Sequence, residues 1–224
     1  WDPVLRAPHC GPGGSVCDSG KLVVGRGPVG PELNAPSTLL STCADGTSGT
    51  FHSDESLDRL KMRTADGSPL GEGKTVTVEA TVWAFGENTF DLFYAPEAAA
   101  PVWTLAATVS VPKGGAQTLT TSFVIPKGKV QAIRGQFRYG GTAVPCATGP
   151  YDDKDDLVYE TGDSTPPTVT LGGVSRVSLA VNVMLSVSVA WAGLGATTIP
   201  VKLGDVLSTS TSTARGGPAA SLDT

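Results

Sequence analysis

Short segments in which apolar and polar residues alternate, separated by glycine- and proline-rich turns, most constrain what this chain can fold into. The clearest covers residues 75–83, where valine or alanine occupies every even position from 76 to 82 and threonine or glutamate every odd position up to 81. Similar segments lie at residues 57–63, 90–94, 103–111, 117–125, 130–139 and 157–159. About seven short strands with frequent turns predict an all-β, antiparallel β-sandwich of jelly-roll or immunoglobulin-like type. The 28 glycines and 17 prolines argue against a helical bundle, because both residues break helices.

The composition changes near residue 163 of the 224 residues. Residues 164–224 carry five charged side chains, and a Ser-Thr-Pro-Pro spacer stands at the change. We therefore predict a sandwich domain over residues 1–163, and over residues 164–224 a linker with a partial immunoglobulin-like or low-complexity, β-rich tail. The apolar run 177–192 contains serine and asparagine and is rich in β-branched residues, so it favours a buried strand or hairpin over a membrane span.

Four cysteines in a chain of this composition predict two disulfides and a secreted, extracellular protein, since disulfides persist in oxidising compartments. Three pairings are open, and the favoured one joins Cys10 to Cys17 and Cys43 to Cys146. The alternative, zinc-bound thiols, has no Cys-x-x-Cys pair to support it. The sequence opens Trp-Asp-Pro without a basic and apolar leader, so we expect a mature product or a fragment.

Neither nucleic-acid binding nor catalysis finds support in the residues. The formal net charge is −5, which is unsuited to a phosphate backbone. There are two histidines, and neither a His-Glu-x-x-His motif nor a Gly-x-Ser-x-Gly motif is present. We therefore expect a chain that is not itself an enzyme.

Two acidic clusters are the strongest candidates for a metal site. The candidate ligands are Asp45, Ser53, Asp54, Glu55, Asp152, Asp153, Asp155 and Asp156. Crowded carboxylates repel one another unless a cation neutralises them, and Ca²⁺ is bound by six to eight such oxygens. A Cys43–Cys146 bond would hold the two clusters near each other. The sequence thus predicts structural calcium, against the alternatives of two solvated acidic loops or of paired carboxylates that cleave glycosides.

Aromatic and arginine side chains of the predicted sheet are candidates for contact with a protein or polysaccharide ligand. The candidates are Trp83, Trp103, Arg134 and Arg138. The alternatives are core or rim packing for the aromatic residues and surface ion pairs for the arginines.

A series of motifs resembles a known kind of module. The motifs lie at residues 8–17, 25–26, 31–32, 43–46, 54–60, 82–83, 91–94, 101–103, 131–134, 137–139, 146, 151–153 and 155–158. Together they resemble the C-terminal accessory domains of secreted peptidases and other exoenzymes of myxobacteria and related bacteria, over about residues 1–160. The resemblance implies an extracellular, non-catalytic β-sandwich whose partner is an upstream catalytic domain that this sequence does not contain. Residues 163–171 resemble the opening of bacterial immunoglobulin-like repeats.

The sequence therefore predicts a non-catalytic module that anchors or presents a secreted hydrolase, a peptidase above all, to its substrate or to a surface. Two other interpretations stay open: a carboxylate-based secreted hydrolase or lyase, and a structural spacer or adhesin fragment.

Overall fold

The computed structural model describes residues 1–112 and 114–162 in full, and two further strands, at 186–191 and 194–200, as backbone. The chain divides into two compact units, Trp1–Thr168 and Val169–Thr224. Within the described residues no α-helix forms, and the helical pieces are two 3₁₀ turns, Gly27–Val29 and Leu39–Ser41. No helix in this described part is long and apolar enough to cross a membrane.

The described part of the first unit contains nine strands. They are β1 His9–Cys10, β2 Val16–Asp18, β3 Ser56–Thr64, β4 Thr75–Ala84, β5 Asn88–Ala95, β6 Thr104–Val111, β7 Gly115–Val124, β8 Val130–Arg138 and β9 Asp153–Glu160. The first sheet has the order β2-β3-β4-β7 and the second the order β1-β9-β8-β5-β6. Every pairing is antiparallel except that of β1 with β9, which is parallel. The predicted all-β sandwich is confirmed.

The core lies between the two sheets, where the alternating strands bury their apolar sides. The even positions of β4, Val76 to Val82, are buried as the alternation predicts, and they pack with Leu57, Leu60 and Phe90. A smaller apolar cluster forms on the outer side of the second sheet, where Leu39 of the N-terminal loop packs with Val158. The long connections, and not only the strands, therefore contribute to the core.

Strand β9 departs from the sequence prediction. Residues 152–156 were expected to form an acidic loop before a short strand at 157–159. The structure instead places Asp153–Glu160 in one strand that is buried on both faces. Loop segments cover its outer edge, because the Asp156 N–H donates to the Ser37 carbonyl at 3.0 Å and the Val158 N–H to the Pro8 carbonyl at 2.8 Å. An edge covered in this way can hold polar residues in a buried strand.

In the second unit the structure describes one antiparallel hairpin, formed by β10 Ser186–Trp191 and β11 Leu194–Pro200. Strand β10 falls inside the apolar run that the sequence assigned to a strand or hairpin. The predicted spacer after residue 163, the start of the immunoglobulin-like resemblance and the low-complexity end lie outside the described residues.

Candidate functional site

Both disulfides join the cysteines that the sequence favoured. Cys10 is bonded to Cys17, and Cys43 is bonded to Cys146 across 103 residues of sequence. The second bond holds the segment after Cys43 against the start of β9. There the Lys154 N–H donates to Asp45 Oδ1 at 3.0 Å, and the Gly46 N–H donates to the Asp152 carbonyl at 2.7 Å.

Strand alternation sends Asp153 and Asp155 into the space between the sheets. They lie on the same side of β9 as Leu157 and Tyr159, which belong to the central core. Asp153 Oδ2 accepts a hydrogen bond of 2.5 Å from the N–H of Leu57, which is in the opposite sheet. Both aspartates have no exposed surface. Two carboxylates thus continue the apolar row of the core at one end of the sandwich.

Asp45 and Glu32 approach the same two carboxylates from the N-terminal loop. The charges of Asp45 and Glu32 both act on Asp153 and Asp155, and they act on each other. Glu32 is held by the Gly27 N–H, which donates to its Oε2 at 2.6 Å. We call these four side chains, Glu32, Asp45, Asp153 and Asp155, the buried acidic cluster.

Much of the hydrogen-bonding capacity of the cluster is unused. Five carboxylate oxygens have no hydrogen bond of normal geometry among the described residues. They are Glu32 Oε1, Asp45 Oδ2, Asp153 Oδ1, and Oδ1 and Oδ2 of Asp155. The hydroxyl of Ser37 also makes no hydrogen bond of normal geometry within this part of the chain. Burial raises the pKa of Glu32, although Ser37 and Asp45 lie close enough to that carboxyl to lower its pKa in part. Buried polar atoms of native proteins are nearly always satisfied, so this concentration requires an explanation.

The electrostatics of the cluster have a single dominant cause. Burial raises the pKa of Asp45 to about 8, and the neighbouring Glu32 charge adds to this rise. Burial likewise raises the pKa of Asp153 and of Asp155 well above the ordinary value, and the other carboxylates add to it. A carboxylate removed from water has a higher pKa because its charged form loses hydration.

Two bases lie next to the cluster without neutralising it. Arg26 has no exposed surface; its guanidinium donates to the Ser48 carbonyl, while Nε and Nη1 have no hydrogen-bond partner in the described residues. Lys154 points to the other side of β9, where its Nζ donates to the Ala147 carbonyl at 3.0 Å. Burial lowers the pKa of Lys154. Within the described residues neither base forms an ion pair with the four acids, although the Arg26 charge acts on Asp153.

The other predicted metal ligands are elsewhere or already engaged. Asp152 accepts the N–H groups of Tyr139 and Gly149, and Asp156 forms a two-point pair with Arg134. Asp54 accepts the Thr50 N–H, and Glu55 accepts the side-chain amide of Asn88 at 3.0 Å. Ser53 is exposed. The structure thus groups three of the eight predicted ligands and adds Glu32, which the sequence analysis missed.

The two arginines chosen as ligand contacts are buried ion pairs. Arg134 Nε donates to Asp156 Oδ1 at 2.7 Å, and Arg138 Nε donates to Asp91 Oδ2 at 2.6 Å. They pair with neighbouring strands, as the sequence alternative proposed. They are not on the surface, because the loop between β8 and β9 covers them; Arg134 Nη1 donates to the Pro145 carbonyl. Their guanidinium groups therefore serve the structure of the second sheet.

The two tryptophans chosen as ligand contacts are half-buried against other groups. The Arg134 guanidinium carbon lies 4.4 Å from the centre of the Trp103 ring. Trp83 stacks on the imidazole of His52 at 4.7 Å between ring centres. The His52 Nε2 in turn lies 2.8 Å from Asp58 Oδ2. These contacts fit the packing role that the sequence analysis weighed against ligand binding.

A groove of about 740 Å³ opens at the end of the sandwich, beside the turn between β4 and β5. Its lining includes Asp54, Glu55, Phe85, Glu87, Tyr139 and Tyr151. Phe85 is 59 % exposed and Tyr139 is 60 % exposed. The Tyr151 ring meets the Tyr139 ring edge-on at 6.4 Å and lies 5.9 Å from the Arg26 guanidinium carbon. This groove, which the sequence analysis did not identify, presents aromatic rings and carboxylates together.

No protein-family model matches this chain, and no curated protein matches its sequence.

Proposed function

We propose that the first unit is a non-catalytic extracellular module, which anchors or presents a secreted hydrolase, a peptidase above all, to its substrate or to a surface. The observation that carries this proposal is the groove with its exposed Phe85 and Tyr139 rings. Exposed aromatic side chains in a concave site provide a large contact area for a protein or polysaccharide. The two disulfides support an oxidising, extracellular setting.

The rigidity of the groove also supports a binding role. Its lining comes from the turn between β4 and β5, from the residues after β8 and from the longer loops that precede β3 and β9. Glu55 is fixed by Asn88, and the Tyr139 N–H donates to Asp152 Oδ1 at 3.1 Å. A preformed site loses little conformational entropy when a ligand binds.

The test is depletion of the full chain from solution by insoluble collagen, chitin, cellulose and bacterial cell walls. We expect selective depletion by one of these polymers, with no soluble products released. Tyr139→Ala should weaken that binding about tenfold or more, because aromatic anchors dominate binding energy. Val102→Ala is the matched control, since Val102 is 77 % exposed and lies outside the groove lining. If none of the polymers depletes the chain, the binding function is wrong, and the interpretation as a structural spacer remains.

One observation favours a second candidate function, a carboxylate-based hydrolase or lyase. Asp54, Glu55 and Glu87 all line the groove, and paired carboxylates carry out general acid–base chemistry. Assaying the same tubes for soluble products separates the two functions. If the chain releases soluble products, and Glu55→Gln abolishes that release while the control Glu79→Gln does not, the enzyme function is correct and the binding function is not.

A further inference from the structure

The geometry points to a divalent-cation site, suited to Ca²⁺, in which Glu32, Asp45, Asp153 and Asp155 are the ligands. The site lies between β9 and the N-terminal loop, and this inference is independent of the proposed function. It rests on three observations: the unpartnered oxygens, the balance of charge and the origin of three of the ligands in anchored segments.

The unpartnered oxygens match the needs of calcium. The four carboxylates and Ser37 together offer six side-chain oxygens without a hydrogen bond of normal geometry in the described residues. Ca²⁺ takes six to eight oxygen ligands, with carboxylates prominent among them, whereas Mg²⁺ usually keeps several waters. A buried set of protein oxygens therefore favours Ca²⁺ over Mg²⁺.

The balance of charge also calls for a divalent ion. Four carboxylates act on one another in a space from which water is largely excluded. Arg26 acts on Asp153 and Lys154 acts on Asp45, but neither base forms an ion pair with the four acids within the described residues, so the cluster keeps an excess of negative charge. A divalent cation would reduce that excess. Without it the same balance requires bound protons, because buried unpaired charges are strongly disfavoured.

Three of the four ligands are carried by segments that strand pairing or a disulfide anchors. Asp153 and Asp155 belong to β9, and Asp45 lies two residues after the disulfide-bonded Cys43. Among residues 1–112 and 114–162, no three His, Cys, Asp or Glu side chains have the arrangement of a formed metal site. To share one ion, the four carboxylates would therefore have to draw closer together than they are here.

The experiment is a calcium titration of the full chain after treatment with EDTA, read by calorimetry and by thermal unfolding. We expect one Ca²⁺ per chain, with a melting temperature that rises by about 5 to 10 °C when Ca²⁺ is present at about a hundred times Kd. Mg²⁺ at the same concentration should raise it less. Identical melting in EDTA and in Ca²⁺, with no heat of titration, would overturn the site and leave protons as the counter-charges.

Three variants locate the ion. Asp155→Asn and Glu32→Gln should each weaken Ca²⁺ binding at least tenfold, and in EDTA each should melt no lower than the parent because one crowded charge is gone. Asp54→Asn is the matched control: it removes one of the eight predicted ligands, which the structure places in the groove, so the calcium response should persist. If Asp155→Asn does not fold, Glu32→Gln in the loop decides the question. A calcium response that survives Glu32→Gln, or one that only Asp54→Asn removes, would place the ion elsewhere and refute this inference.

Discussion

At Gly135 of β8 the two sheets pack closely against each other. Gly135 is the register partner of Asp155 on β9 and of Leu92 on β5. A Cβ atom at this position would lie 2.8 Å from Leu57 Cδ2 and 2.9 Å from Leu60 Cδ2, both of which belong to the opposite sheet. The core is thus packed so tightly here that a single methyl group has no room.

We expect Gly135→Ala to lower the free energy of unfolding by about 1 to 3 kcal/mol, because overpacking forces packed side chains from their preferred positions. Urea denaturation of the full chain, followed by tryptophan fluorescence, measures the change. Gly11→Ala is the control, since a Cβ there meets nothing within 4 Å. If the two variants unfold at the same urea concentration, the two sheets have room for an added methyl group at this point.

At the level of single residues, the sequence identified some of the buried acids and missed others. Asp45, Asp153 and Asp155 could be identified because each stands in a visible acidic cluster. Glu32 could not, because it stands alone in a loop of glycine and proline. The available signal was that Arg26 and Glu32 are the two charged residues between positions 22 and 42. That spacing does not reveal which distant strand they meet.

The strands of the second sheet carry a layer of buried ion pairs on their outer side. Arg138 of β8 pairs with Asp91 of β5, and Thr108 of β6 donates to the same carboxylate at 2.7 Å. Asp91 has no exposed surface. One carboxylate therefore links three neighbouring strands.

We expect Asp91→Ala to cost about 3 to 5 kcal/mol in the free energy of unfolding, because it leaves the Arg138 charge buried without a partner. Replacement of both partners, by Asp91→Leu with Arg138→Met, should recover most of that loss, since apolar residues of similar volume often replace a buried pair without cost. Chemical denaturation of the three proteins gives the comparison.

The control for this pair is Glu79→Ala on the first sheet. Glu79 pairs with Lys61 and Arg63 at distances of 3.7 and 3.4 Å, and all three side chains are partly exposed. Such surface pairs contribute about 1 kcal/mol or less. If the double variant of Asp91 and Arg138 were as unstable as Asp91→Ala, the ion pair itself would be stabilising.

At the level of elements, local patterns predicted β3 to β8, missed the short strands β1 and β2, and found only the end of β9. β4 obeys the alternation because one of its faces is buried and the other is exposed. β9 begins with four charged residues, which locally resemble a solvated loop. It is a strand because the N-terminal loop, the β8–β9 loop and the Cys43–Cys146 bond cover both its faces and its edge. The N-terminal part of that cover comes from residues more than a hundred positions away, so no local pattern contains it.

For the whole first unit, we expect the two disulfides to contribute unequally to stability. Closing a loop of about a hundred residues removes far more freedom from the unfolded chain than closing one of about eight. The chain-entropy relation gives about 4.7 kcal/mol for Cys43–Cys146 and about 2.5 kcal/mol for Cys10–Cys17. Replacing each pair by serine and measuring the free energy of unfolding tests this ratio. A larger loss from the Cys10–Cys17 pair would contradict it.

The Cys43–Cys146 bond also determines how the unit responds to a pulling force. Strands β3 to β8 lie wholly inside the loop that this bond closes. Tension applied between the two ends of the unit follows the covalent path and crosses directly from residue 43 to residue 146. Strands β3 to β8 therefore carry no load along the chain, and the extensible length is confined to the N-terminal segment with β1 and β2, and to the segment with β9. Under tension the unit would yield at that periphery while its central strands stay folded.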